Sequence, residues 1–212
     1  MEGVRRRSDR HSLSLWLLVG FLVLVVSACS GDIGPGLVGE PIAGEAQKRD
    51  PALVERLALI DEAVVAWGNA DSIEDAHLHA ETAANLIVGS NGPDYGDRDG
   101  DGGISGSAVE GLLPGFDGTP VGIANMSASN ACIERDVLGG SWENPEARWE
   151  SMVAAIDAWE PGNNTMPTLA SHLMRVVGWA TFTIDTGSLD EAHIFAGHAD
   201  IHSSLSVRAV DC

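Results

Sequence analysis

The chain has 212 residues, with 31 acidic and 12 basic side chains and a formal charge of −19. A surplus of that sign leaves no basic patch for phosphates and no attraction to anionic headgroups, so nucleic acid is excluded and charge alone cannot hold the chain on a membrane.

Taken in chain order, Arg5, Arg6, Arg7 and Arg10 precede an apolar run from Leu13 to Val26, broken by Ser14 and Gly20. The run is short of the roughly 20 residues of a spanning helix and has the layout of a secretory signal. Val26-Ser27-Ala28-Cys29 then resembles the lipobox of bacterial lipoproteins. That resemblance implies a signal peptide over residues 1–28, cleavage before Cys29 and acylation (diacylglycerol and palmitate) of its thiol. It also implies anchoring of the mature protein to the outer, extracytoplasmic face of the cell membrane. An ordinary signal peptide or an uncleaved anchor is the alternative. Residues 29–49, Gly-rich with Pro35 and Pro41, read as a flexible tether to a domain over residues 50–212. Of the charged residues, four basic and two acidic fall within residues 1–28, so the remaining 184 residues hold 8 basic against 29 acidic and carry −21. In an oxidising compartment Cys132 and Cys212 are the natural disulfide, two separate thiols being the alternative.

Helix signals dominate the domain. Asp50-Pro51 supplies a cap and a first-turn proline, and Leu53, Leu57, Ile60, Val64 and Trp67 then form one apolar stripe ending at Gly68. Ser72 with Asp75 resembles a capping box that opens a helix to about Val88, with Gly89 as its stop. Ser90–Thr119 is rich in Gly and Asp and reads as a long ordered loop within residues 90–120. Val121–Leu138 is expected as a further helix closed by Gly139-Gly140. Asn144-Pro145 opens the next, with Trp149, Met152, Ile156 and Trp159 on one side. Thr165 to about Thr186 carries Leu169, Leu173, Val176, Ala180 and Ile184 in register, and Ser188 with Glu191 caps a last helix to about Arg208.

An internal echo links the two ends of the domain. Val64-Val65-Ala66-Trp67 returns 112 residues later as Val176-Val177-Gly178-Trp179, and Ser72-Ile73-Glu74-Asp75-Ala76-His77 returns 116 residues later as Ser188-Leu189-Asp190-Glu191-Ala192-His193. The second copy is therefore expected to hold four extra residues in its turn. Ala76, Ala80 and Ala83 match Ala192, Ala196 and Ala199, a ridge that allows close helix packing. The Trp, Gly and Ala spacing is loosely similar to tetratricopeptide repeats, but two distant copies do not make a solenoid. The expected fold is all-α: an antiparallel bundle of two related helical hairpins with one or two extra helices and a long Gly/Asp-rich loop.

Asp97-Arg98-Asp99-Gly100-Asp101-Gly102-Gly103-Ile104-Ser105 resembles the first nine positions of an EF-hand or dockerin-type calcium loop. The resemblance implies calcium held by Asp97, Asp99 and Asp101, by the carbonyl of Gly103 and, through water, by Ser105, with Gly102 at the sharp turn. It breaks at position 12, where a bidentate Glu is required and Ala108 stands; Glu110 and Asp94 are the nearby substitutes. A solvated Asp-Gly turn cluster without metal is the other reading. The stretch Ala76–Asp101 also resembles a recurring pattern of uncharacterised bacterial extracytoplasmic proteins, which implies no activity.

Six histidines follow the signal. Glu74 with His77 and Asp190 with His193 give acid-x-x-His at equivalent positions, similar to di-metal ferritin-like bundles if Glu62 and Asp157 joined them. His198 and His202, four apart, share a helix face suited to zinc or copper, and His77 and Glu81 have the same spacing. The competing reading is that the carboxylates answer the helix dipole in first turns. Covalent c-type haem lacks its Cys-x-x-Cys-His, and no nucleophile elbow, phosphate loop or His-Glu-x-x-His is present. Two functions stand: a non-enzymatic, membrane-tethered binding or scaffold lipoprotein with a structural calcium loop, its protein or small-molecule partner unknown, and a transition-metal or haem redox or sensor bundle using His77, His193, His198 and His202.

Overall fold

A computed structural model describes residues 49–116, 122–126, 130–159, 166 and 169–212. The expected signal peptide, Cys29 and most of the tether lie outside the described residues. Six α-helices are present among them: α1 (Pro51–Gly68), α2 (Ile73–Val88), α3 (Ile123–Met126), α4 (Pro145–Asp157), α5 (His172–Asp185) and α6 (Leu189–Arg208). A π-helical turn covers Ile133–Leu138 and a 3-10 turn Ala209–Asp211, and the described residues contain no strand. No helix among them is long and apolar enough to cross a membrane.

The helices start where polar side chains satisfy otherwise orphaned N–H groups. Asp50 accepts from Ala52 N at 2.9 Å, Ser72 from Asp75 N at 3.1 Å, Asn144 from Ala147 N at 3.2 Å and Ser188 from Glu191 N at 3.3 Å. Each apolar stripe then turns inward. Leu53, Leu57, Ile60, Val64 and Trp67 of α1 are buried, as are Leu173, Val176, Trp179 and Ala180 of α5. α1 packs on α2 and α6, and α5 packs on the same two, which makes an antiparallel four-helix ring with both hairpin turns at one end. The buried alanines at 76, 80 and 83 and at 192, 196 and 199 allow α2 and α6 to touch across it as well.

The echo has a structural counterpart. His77 on α2 donates from Nε2 to the carbonyl of Thr186 at 3.0 Å, and His193 on α6 donates from Nε2 to the carbonyl of Ala70 at 3.0 Å. Each acceptor lies two residues before the capping serine of its own hairpin, so each hairpin's histidine holds the other hairpin's turn. The matching Trp67 and Trp179 are both buried, and both indole N–H groups lack an acceptor among the described residues.

Three boundaries differ from expectation. The four extra residues of the second copy lengthen α5 rather than its turn: α1 ends one residue past Trp67, whereas α5 continues to Asp185, and the turns themselves are of similar length. Val121–Leu138 is not one helix, because Asn130 Oδ1 accepts from Cys132 N at 2.8 Å and Ile133 N at 3.3 Å and so starts a separate turn. α5 begins at His172 and not at Thr165. Ser171 caps it by accepting from Met174 N at 3.3 Å while donating to Val137 O, and Leu169 is buried ahead of the helix.

Cys132 and Cys212 form the expected pair, with Cα atoms 6.2 Å apart and a sequence separation of 80, and tie the C-terminus to the π-turn. α4 reaches α5 at Gly178, where a Cβ would lie 3.4 Å from Ile156 Cγ1 and 2.6 Å from Sδ of Met166, which follows α4. The matching residue of α1, Ala66, keeps its methyl.

Candidate functional site

α2 stops at Gly89, and the chain after it folds back along the outside of the same helix. Gly106 makes this approach feasible: its φ is +64°, and a Cβ there would fall 2.3 Å from the carbonyl oxygen of Thr82. Two side chains one helical turn apart on α2 then hold the loop. Asn85, fully buried, donates from Nδ2 to Gly96 O at 2.9 Å and Ser105 O at 2.8 Å, and its Oδ1 accepts from Gly96 N at 3.2 Å. Glu81, 1% exposed, accepts at Oε2 from Arg98 N (2.6 Å) and Asp99 N (3.2 Å) and at Oε1 from Ser105 N (2.6 Å). A carboxylate taken out of water needs such donors, and here the loop backbone supplies three of them.

Within the loop each aspartate accepts from backbone further on. Asp97 receives Gly100 N at 2.8 Å and Gly102 N at 3.0 Å, Asp99 receives Asp101 N at 3.1 Å, and Asp101 receives Gly103 N at 2.6 Å. Gly102, where an EF-hand loop has its glycine, sits at φ +93°. The curl brings carboxylate oxygens of Asp97, Asp99 and Glu81 to within 4.8 Å of one another, the one group of three or more ligating side chains among the described residues. Three anions this close repel by on the order of 1–3 kcal/mol per pair, the lower figure where Asp97 meets solvent. A divalent cation removes that repulsion, and hard oxygen donors on a buried-to-exposed gradient suit calcium.

Of the residues expected to ligate, Asp97 and Asp99 are therefore brought together. Asp101 lies outside the group, and Ser105 contributes its backbone to Glu81 and Asn85. Neither expected substitute for position 12 joins: Glu110 gives its carbonyl to Arg56 Nη1 at 2.7 Å, and Asp94, at φ +56°, sits nearer Arg98. Burial pushes the Arg98 guanidinium below its ordinary range, opposed by Asp94 and Glu81. The closing carboxylate comes from the helix before the loop. In the sequence Glu81 stands out only by its four-residue spacing from His77. Its signal was a Glu–Asn pair one turn apart on a helix otherwise lined with alanine. Asp97 also borders a cavity of about 360 Å³ shared with Tyr95, Thr181 and Asp185, which gives solutes a route to the group.

The four histidines of the transition-metal reading are not collected. His77 and His193 are engaged by backbone carbonyls, which places the proton on Nε2 in each. His198 stacks on Trp179, with ring centroids 4.6 Å apart. His202 pairs with His172, Nδ1 to Nδ1 at 3.0 Å, and burial, followed by Arg175, His172 and His198, lowers it to about 4. Glu74 and Asp190 are exposed, as first-turn residues answering the helix dipole. Set against known proteins, the chain matches no family model, no curated protein and no solved structure.

Proposed function

We propose that the protein is a lipid-anchored extracytoplasmic binding or scaffold protein, without catalytic function, whose Gly/Asp loop is ordered by calcium. One observation carries the calcium reading: a buried glutamate on α2 meets two loop aspartates within 4.8 Å. Glu81 supplies the carboxylate that Ala108 cannot, and Asp97 and Asp99 supply two more, with room for carbonyl and water ligands to complete six to eight oxygens. A site with few protein carboxylates and an open side belongs to the weak, extracellular affinity class, near millimolar. The lipobox at Val26–Cys29 and the short apolar leader support the location.

The test is calcium titration of the full chain by calorimetry, with magnesium as the control and Glu81→Gln as the variant. Calcium binding near 0.1–1 mM is expected, with a rise in unfolding free energy of about 2.7 kcal/mol at a hundredfold excess over Kd. Glu81→Gln keeps the side-chain shape and should weaken calcium binding at least about tenfold. No binding at about 10 mM calcium, or equal affinity in the variant, overturns the reading. Mass spectrometry of the protein from its native host tests the anchor, the expected result being a fatty-acylated Cys29 at the N-terminus.

A further inference from the structure

We propose that the pocket at the start of α4 binds a small ligand through a carboxylate or phosphate group, with Arg148 as its counter-charge. The site is remote in sequence from the acidic loop and does not depend on calcium. Its volume is about 380 Å³, and Ser141, Asn144, Arg148, Ser151 and Met174 line it together with Leu169. That size suits a small-molecule site.

Arg148 is held rigidly. Its Nη2 donates to Leu138 O and Gly139 O, each at 3.1 Å, and the guanidinium lies 4.8 Å from the centre of the Trp142 ring. Capping those carbonyls of the π-turn uses one nitrogen. Nε is buried without a partner, and Nη1 makes no hydrogen bond among the described residues. Nε is enclosed, so the N–H groups of Nη1 are the guanidinium donors left for a ligand.

Charge sets Arg148 apart from most other cations of this acidic chain. Arg49 pairs with Asp211 and Arg135 with Asp136, while Arg56 and Arg98 have Glu110 and Glu81 near them. No carboxylate opposes the burial that pushes the Arg148 guanidinium below its ordinary range, although the exposed Glu143 stands at the pocket rim. Arg175 is placed likewise and donates from Nε to Leu169 O at 2.7 Å beside the same pocket. Within a protein of charge −19 this places a cation at the amino end of a 13-residue helix, with the exposed Glu143 and Glu146 flanking it in sequence. Asn144 uses Oδ1 to cap Ala147 N, leaving its Nδ2 donors, and the Ser151 hydroxyl is on the exposed side. A fixed guanidinium with amide and hydroxyl donors matches an oxyanion.

Calorimetric titration of the full chain with inorganic phosphate and, separately, with succinate tests this, with chloride held constant. Saturable binding of one of them at about 1 mM or tighter is expected, and the better probe distinguishes a phosphate from a carboxylate ligand. Ser151→Asp puts a carboxylate in the pocket without touching the bonds from Arg148 to Leu138 and Gly139, and should weaken binding at least about tenfold with the melting temperature unchanged. Arg148→Lys, which keeps the charge and loses the planar guanidinium, should weaken it several-fold and serves if Ser151→Asp fails to fold. The proposal is overturned by the absence of saturable binding for both anions up to about 20 mM, or by affinity that neither variant alters.

Discussion

α2 and α6 are the same helix written twice, and they differ where the acidic loop docks. Both open on a capping serine, carry alanines at matching positions and send a histidine to the opposite turn. At the position of Glu81, however, α6 has Gly197, and at that of Asn85 it has Ile201, 56% exposed. Among the described residues no loop covers that face of α6: a Cβ at Gly197 would meet nothing within 4 Å. The duplicated features build the bundle, and the two polar substitutions on α2 build the loop site. The acidic loop, and with it the proposed calcium site, resides in the departures from the repeat.

Three experiments break or sharpen this comparison. The largest effect belongs to the paired tryptophans. Trp67→Ala should cost about 3–5 kcal/mol in urea unfolding. Trp179→Ala should cost about 0.5–1.5 kcal/mol more, because Trp179 also stacks on Phe195 and His198 and meets Trp159 and Phe182 edge-on. A loss at Trp179 no larger than that at Trp67 would show that its extra ring contacts add nothing to stability. Next comes His202, which stands where the first hairpin has the buried Leu86. Its folded value of about 4 lies below the ordinary 6.5. The unfolded chain takes up this proton first as pH falls, so stability should decline between about 6.5 and about 4 and level off below that range. With partial exposure discounted, the loss is on the order of 1–2 kcal/mol, and His202→Leu should flatten that part of a melting-temperature profile. The smallest effect is Gly197→Ala, which should stabilise α6 by about 0.5–1 kcal/mol, since the helix gains propensity and the methyl has space. A destabilised Gly197→Ala would show that the bare face of α6 is covered by something.

The bundle was legible in the sequence because its determinants are local and periodic: capping serines, apolar steps of three and four, and a tryptophan and alanine pattern that repeats. Asp97 and Asp99 were legible for the same reason, as a run with known spacing. Glu81 was not, because its burial comes from a loop that returns from residues 96 to 106 and not from anything on α2 itself. The expected helix over Val121–Leu138 failed on a local competition. Asn130 bonds the backbone two and three residues ahead more readily than it extends a helix, and Gly122, at φ +83°, packs too closely against Leu113 for any side chain. The beginning of α5 is hidden in the sequence because Leu169 keeps the apolar register although Ser171 is the cap.

The exchanged histidine bonds bear on how the bundle comes apart. Opening the Ala70 turn requires release by His193, and opening the Thr186 turn requires release by His77, so neither hairpin turn has a private route to fraying. The half that carries the acidic loop and the half that carries the bare helix are obliged to melt together, and amide protons in the two turns should exchange with solvent through one shared opening event.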